Sequence, residues 1–382
     1  MKYNWQHPDW PELTFQPEAG HKAIEQYKVD AAKLSGCVST LKKTDQYAAY
    51  IELMVSEAFS TSAIEGERLN LASVRSSLKN FLGLTVPPVR VSDPKAEGIA
   101  ALMVDVGRSV LSPLTNDLLC KWHTMAPPSG EIPHQPLIGQ YRNSPEPMLI
   151  TSGPIGYEIE HFKAPPAAQV AHEMERFLSW YNDSAPEIGQ PDKIPSPIRA
   201  GIAHLWFESI HPFDNGNGRV GRAIAEHALG QSIHQPPLLS LSSAVQLDCH
   251  AYYQNLQNAS RADMDITQWV DYFAGIVASA QVQASEEVSF VIGKVMFWQL
   301  HDTTSLNKRQ EKLINKMFEA GVAGFKEGIN NRKFQNLNGC SKATATRDLT
   351  DLQQKGILAN LPGAGRNTRY ELVVPKTSLV QI

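Results

Sequence analysis

The reading of this 382-residue chain turns on one stretch, His211-Pro212-Phe213-Asp214-Asn215-Gly216-Asn217-Gly218-Arg219-Val220-Gly221-Arg222. Two glycines around Asn217 permit backbone conformations that aim successive N–H groups at one point, and a helix opening at Gly218 or Arg219 turns its positive dipole end the same way. Such a turn binds anions. Arg219 and Arg222, three apart, occupy neighbouring positions of the first helical turn, from which two guanidinium groups can grip separate phosphates. His211 ends the preceding helix, and an imidazole beside a phosphate cradle suits general-base work near neutral pH. A glycine-flanked turn alone is more often an ordinary helix–loop–helix connection with surface arginines. The histidine, the phenylalanine, the Gly-Asn-Gly turn and the two spaced arginines together favour a site.

Helical patterns surround this stretch. From Asp45 onward, Tyr47, Ile51, Met54, Val55 and Ala58 recur at three- and four-residue steps, which predicts an amphipathic helix running to Glu65 and stopping at Gly66. A second helix is predicted from an Asn70 cap to Gly83, with Val74, Leu78, Phe81 and Leu82 on one face. Further helices are expected over 93–111, 115–125, 167–181, 196–210, 218–229 and 250–284. The proline-rich stretch between Pro127 and Pro166 reads as a loop with a hairpin. Residues 1 to about 36 open with Trp5, His7-Pro8 and Trp10-Pro11, which suit an extended segment packed on the body. After Leu306 three short helices (307–320, 330–338, 341–355) precede two strands within 357–374, around the tip Pro362-Gly363-Ala364-Gly365-Arg366-Asn367.

Composition sets the frame. With 42% hydrophobic and 19% charged residues, and no run of the roughly eighteen apolar residues that a spanning helix needs, the chain reads as soluble rather than membrane-embedded. Its start lacks an apolar core and a cleavage pattern, so a cytoplasmic location is expected. Cys37, Cys120, Cys249 and Cys340 lie too far apart for a zinc site or a disulfide framework and read as isolated thiols. The net charge of −4 conceals an asymmetry: Asn307–Lys376 holds 13 Lys and Arg against 6 Asp and Glu, a balance of +7, while the rest holds 22 against 33, a balance of −11. A basic module is attached to an acidic body.

The central stretch resembles the signature of the Fic family, His-x-Phe-x-Asp/Glu-Gly-Asn-Gly-Arg-x-x-Arg. The resemblance implies a mainly α-helical Fic-fold bundle with a flap β-hairpin that transfers AMP from ATP to a Ser, Thr or Tyr hydroxyl of a protein. It makes His211 the base, Gly216, Asn217 and Gly218 the phosphate-binding nest, Arg219 and Arg222 the clamps on the β- and γ-phosphates, and Phe213 the anchor of the loop. The family's acidic magnesium ligand is replaced by Asn215, whose amide oxygen can ligate a hard cation without supplying charge, so weaker metal binding is expected. Asp214 lies one residue away.

Thr61-Ser62-Ala63-Ile64-Glu65-Gly66 resembles a second family pattern, carried on an inhibitory helix. On its own, Glu65 reads as a solvated glutamate before a capping glycine. The resemblance implies instead that Glu65, with Thr61 one turn earlier, pairs with Arg222 and removes the γ-phosphate clamp; some members of that class also remove AMP. Ile138-Gly139-Gln140-Tyr141-Arg142 and Met148-Leu149-Ile150-Thr151 resemble the flap, which can hold a target backbone by strand addition. Tyr252-Tyr253 resembles a pair that borders adenosine, with two core aromatics on a helix as the plain alternative. The basic segment, with Ser341-Lys342-Ala343-Thr344-Ala345-Thr346-Arg347, resembles a small C-terminal winged helix-turn-helix domain that would present Lys342, Thr344, Thr346 and Arg347 to DNA, with Arg366 and Arg369 on the wing.

The expectation is therefore three parts: an accessory region with the inhibitory helix over 1–84, a catalytic domain over 85–300 and the winged helix over 307–376. The expected partners are ATP with Mg2+, a protein bearing a hydroxyl side chain (the chain itself included), DNA at the winged helix, and a second copy in a homodimer, with no membrane. Transfer of another nucleotide stays open as a variant of this reading. The competing class is a DNA-binding regulator that uses the Fic fold to sense nucleotide.

Overall fold

The computed structural model describes residues 3–126, 136–152, 157, 159–261, 263–301, 303–321, 328–361 and 368–375. The chain divides into two compact units, one of Met1–Ala32 with Tyr50–Ala284 and the other of Lys33–Ala49 with Ser285–Ile382. Helices dominate both. In chain order they are α1 (His21–Ser39), α2 (Lys43–Ile64), α3 (Leu71–Phe81), α4 (Pro94–Ser109), α5 (Asn116–Met125), then β1 (Leu149–Ser152) and β2 (Ile159–Lys163), then α6 (Ala167–Asp183), α7 (Ser196–Ile210), α8 (Asn217–Ile233), α9 (Leu241–Leu247), α10 (Cys249–Arg261) and α11 (Thr267–Leu300). No described helix is long and apolar enough to cross a membrane.

The first unit is organised around α7 and α8. Every residue of α7 except Glu208 is buried, and so is nearly all of α8. A helix buried all round reads as a centre rather than a face. Phe177 and Tyr181 of α6, and Trp269 and Phe273 of α11, fill the space around it. Local signals set the ends: the Asn70 side chain accepts from Ala72 and Ser73 N–H to start α3, and Asp93 does the same for α4 ahead of Pro94. Strands β1 and β2 pair antiparallel, Leu149 opposite Lys163, with an irregularity between Ile150 and Thr151. The hairpin's connection, 153–156, lies outside the described residues. The N-terminal segment braces this region: Trp5 Nε1 donates to Lys163 O at 2.7 Å, Tyr3 packs edge-on against Phe162, and Asn4 Nδ2 donates to Ser209 Oγ at 2.8 Å.

One predicted helix is two. The apolar spacing over 250–284 is continuous, but Thr14 runs alongside the break, its N–H donating to Met264 O and its carbonyl accepting from Ile266 N–H. Asp265 then starts α11 by accepting from Thr267 N–H and Oγ1–H. The pattern also gave no sign of α9, which is capped by Ser240.

The second unit contains α12 (Lys308–Glu319), α13 (Asn331–Asn338), α14 (Lys342–Gln354) and the antiparallel pair β3 (Leu358–Asn360) and β4 (Tyr370–Leu372). Leu313, Ile314, Phe334, Leu349 and Leu352 form its core. Lys342, Thr346 and Arg347 are exposed on α14, and Thr344 is partly buried. The tip 362–367, with Arg366, and Lys376 lie outside the described residues.

Candidate active site

Helix α7 delivers His211. The helix ends there because the residue adopts φ 50° and ψ 60°, its N–H closing on Phe207 O at 2.9 Å. A left-handed conformation at a residue with a Cβ costs about 1 kcal/mol or more and persists only where neighbours impose it. Here Arg142 imposes it: buried, it donates from Nε to His211 O at 2.8 Å and from Nη2 to Pro165 O and Ile210 O, while its N–H reaches Pro212 O. Sequence reasoning placed Arg142 only within a flap-like stretch; its role as a strut has no local signal.

The loop after His211 is pinned on both sides. Phe213 is fully buried and stacks on His123 with centroids 4.0 Å apart. Gly139 N–H donates to His123 Nδ1 at 2.9 Å, which assigns the ring's proton to Nε2, 3.0 Å from Asn215 O. Burial pushes the His123 pKa down, as a neutral brace requires. Asn217 does not face a ligand with its side chain. Its Oδ1 accepts from Phe213 N–H at 3.0 Å and its Nδ2 donates to Phe213 O at 2.8 Å, so it closes the turn and offers only its backbone to an anion. Gly216 holds φ 77°, a conformation that favours glycine, at the cap of α8.

The two arginines of α8 are buried and engaged by one short stretch, 61–67. Arg222 Nε donates to Thr61 Oγ1 at 2.9 Å, and Nη2 donates to Thr61 O at 3.1 Å and to Glu65 Oε1 at 2.8 Å. Burial disfavours this cation, but its neighbours, Glu65 foremost with Tyr252 and Tyr253, outweigh burial and raise the Arg222 pKa. Arg219 pairs with Glu67 at 3.1 Å, and Glu67 also receives Lys95 at 2.6 Å. Gly218 lies directly under Glu65: a Cβ there would sit 2.6 Å from Glu65 Oε1. Glu67, two residues past the expected glutamate, is a second acid that the pattern did not reveal.

These groups border a cavity of about 510 Å³. Glu65, Glu208, His211, Gly218 and Arg222 form one wall, and the hairpin with α10 forms the other. Of the residues singled out in the sequence, His211, Gly218, Arg222, Tyr252, Tyr253 and Glu65 meet at this cavity, whereas Thr61, Asn215, Gly216, Asn217 and Arg219 are not part of its lining. Tyr252 is buried with its hydroxyl 2.6 Å from His204 Nε2, whereas Tyr253 stands about half exposed at the rim. Among the described residues no group of three or more His, Cys, Asp or Glu side chains could hold a metal ion. Asp214 is engaged by the loop, its Oδ2 accepting from Leu137 N–H at 3.0 Å.

Residues 113–229 match the model of the Fic/DOC family, and residues 3–84 match a domain of unknown function, DUF4172. A uridine 5'-monophosphate transferase of Xanthomonas campestris pv. campestris (strain 8004) is 29% identical over 136 residues, 36% of this chain and 24% of that protein. A protein adenylyltransferase Fic of Nematostella vectensis is 30% identical over 101 residues, 26% of this chain and 21% of that one. The matched stretches are thus about a quarter of the length of these curated relatives. The crystal structure of a Fic family protein from Desulfovibrio desulfuricans G20 superposes with a TM-score of 0.51 at 17% identity, covering 96% of this chain and 99% of that one, a likeness of fold.

Proposed function

We propose that this Fic family protein is a nucleotidyltransferase that moves AMP from ATP onto a hydroxyl side chain of a protein, itself included, and that Glu65 holds the reaction off. The observation that carries the reading is the seating of Glu65 on Arg222 at the wall of the cavity that also receives His211 and the first turn of α8. A carboxylate sits where the anion-binding geometry suits a phosphate.

In the proposed reaction the target hydroxyl oxygen attacks the α-phosphorus in line while its proton passes to His211. The bond from the α-phosphorus to the α–β bridging oxygen breaks, and pyrophosphate leaves with that electron pair. The backbone N–H groups of 216–218 stabilise the charge that develops, and Arg219 and Arg222 hold the outer phosphates once their acids are displaced. Tyr253 borders the base at the rim. Magnesium enters as part of the ATP substrate, with Asn215 as the proposed protein donor.

Incubation with ATP labelled on the α-phosphate tests this. Label should appear on the protein or on a lysate band, strongly for Glu65→Gly and not for His211→Ala. The same assay with UTP is included because one relative is a uridine monophosphate transferase. Absence of label from Glu65→Gly with every nucleotide would sink the proposal. The second unit supports a separate reading: exposed Lys342 and Arg347 suit phosphate contacts of a winged helix with duplex DNA. Binding that weakens with salt and disappears in Lys342→Ala/Arg347→Ala would bear it out, and with a silent Glu65→Gly would favour the DNA-binding regulator.

A further inference from the structure

A polar chain under the cavity wall has no role in the reaction outlined above. Glu208, on the last turn of α7, keeps only 10% of its side chain exposed and sits with Oε2 3.5 Å from His211 Nδ1. One turn earlier on the same face is His204, fully buried, which ties through Nε2 to the Tyr252 hydroxyl of α10. The first turns of α8 come close enough to enclose both only because residue 221 has no side chain. A Cβ on Gly221 would meet Glu208 Oε1 at 2.5 Å and His204 Nδ1 at 3.1 Å. Tyr252, His204, Glu208 and His211 thus lie in sequence, Tyr252 hydrogen-bonded to His204 and Glu208 paired with His211, and the sequence ends on the proposed base.

Elementary bonding capacity gives this sequence a direction. A carboxylate only accepts hydrogen bonds, and a neutral imidazole has one N–H and one lone pair. With Glu208 at Nδ1, the proton belongs on Nδ1 and the lone pair on Nε2, the nitrogen not turned toward Glu208. The groups facing Glu208 are His211 and His204 on its own helix, Arg222 on α8 and Tyr252 on α10. Burial opposes its charge, but His211, His204 and Arg222 outweigh burial and keep its carboxyl below the ordinary range. It is an anion across the working pH of an ordinary protein.

We propose that Glu208 is the positioning residue of the base: it fixes the His211 tautomer and stabilises the imidazolium formed when the target hydroxyl gives up its proton, with His204 and Gly221 defining its place. This rests on the reading of His211 as base. The logic is that of any imidazole base oriented by a buried carboxylate.

Two measurements decide it, both on the full chain. In the Glu65→Gly background, Glu208→Gln should slow transfer from labelled ATP on the order of 10²-fold. ATP affinity should stay within about twofold, because Glu208 touches no phosphate-holding backbone. The acidic limb of the pH–rate profile should differ from the parent's, since the reacting imidazolium loses its counter-charge. Glu208→Asp, shorter but still anionic, should recover part of the rate and the original limb. Independently of activity, nitrogen-15 NMR of the histidine rings, with His211 assigned through His211→Gln, should show the proton on Nδ1 in the parent and a mixture of tautomers in Glu208→Gln. An unchanged tautomer together with an unchanged pH profile overturns the proposal. Silence of the Glu65→Gly parent overturns the transferase reading instead, and the tautomer measurement still decides the role of Glu208.

Discussion

Helix α2 meets α8 along one stripe, with Glu57, Thr61 and Glu65 facing Glu226, Arg222 and Gly218, and the two ends of that stripe differ in chemistry and in access. At the near end Glu65 is ion-paired to Arg222 and about a fifth exposed at the cavity. At the far end Glu57 and Glu226 are both buried, two acids bonded to each other. Glu57 accepts from Ser240 Oγ–H at 2.9 Å, Ser242 N–H at 2.7 Å and Ser242 Oγ–H. Burial, and then the neighbouring Glu57, push the Glu226 carboxyl well above its ordinary range, so it keeps its proton and donates it to Glu57. Both stripes run at four-residue steps, the spacing that puts side chains on one helical face. The difference shows how, under the proposed reading, a brake and an architectural anchor share one helix. The near end is a charge contact open to the cavity, which on that reading a phosphate replaces, and the far end is a buried hydrogen-bond anchor beside a small cavity of about 30 Å³.

The largest effect that can break this comparison is functional. Glu65→Gly frees Arg222 and removes the competitor for the phosphate position, and self-labelling from ATP should rise about 10- to 100-fold. Glu57→Gln removes charge at the far end without opening the cavity and should leave labelling within about threefold of the parent. If the two substitutions raise labelling equally, the ends are not distinct and α2 is released as a unit.

Stability should rank the ends the other way. Glu57→Ala leaves Ser240, Ser242 N–H and Ser242 Oγ–H without their acceptor inside the protein and strands the Glu226 proton. Losses of buried partners of this kind cost about 3 kcal/mol or more. The thermal midpoint of the first unit should fall by roughly 5 °C or more. Glu65→Gly, at a partly wet contact beside a capping glycine, should lower it by less. A larger fall for Glu65→Gly would make the near end the anchor.

Much of the near end was legible in the sequence and almost none of the far end. His211, Gly216, Gly218, Arg219 and Arg222 are rare types at tight spacing, and each has a chemical reason to sit where it does. Glu65 stands before a glycine that marks a helix end. Glu57, Glu226 and Glu208 are single acids inside helices, and on a helical wheel a buried acid looks the same as a solvated one. Only their partners distinguish them, and those partners lie far away in the chain: Ser242 is 185 positions from Glu57. The break between α10 and α11 was hidden for a related reason, since it is fixed by Thr14, some 250 positions away. Tyr252 borders the cavity as expected, and its hydroxyl bonds to His204, a partner 48 positions away that its own stretch does not signal.

Acidity sharpens the comparison further, with a smaller effect. A carboxyl whose folded pKa is raised stabilises the fold fully below its unfolded value, 4.5 for Glu226, and that contribution is lost as pH rises through the folded value. Arg222, with its pKa raised, stays charged throughout. Alkaline pH should therefore loosen the far end while the near end holds. Hydrogen exchange of the α2 amides over 50–64, corrected for intrinsic rate, should quicken with rising pH in the parent and stay flat in Glu226→Gln, which keeps a donor at every pH. A parent profile as flat as that of Glu226→Gln would mean that the acids do not share a proton.

The smallest effect concerns the edge of the near end. Glu67 joins two cations, Arg219 with 0% of its side chain exposed and Lys95 with 52% exposed. The Coulomb attraction of Lys95 is screened by water and opposed by side-chain entropy, so Lys95→Ala should cost under about 1 kcal/mol. The same glutamate matters far more to Arg219, because a buried guanidinium that loses its directly paired acid keeps its desolvation penalty with less to offset it, the charge of Glu65 remaining. Glu67→Gln should therefore destabilise the first unit several times more than Lys95→Ala, although the two changes break the same ion pair. Equal costs in thermal unfolding would place the energy of this cluster in the Lys95–Glu67 contact. The buried side of the near end would then be held by packing and by the Thr61 and Glu65 contacts to Arg222, not by the Arg219 pair.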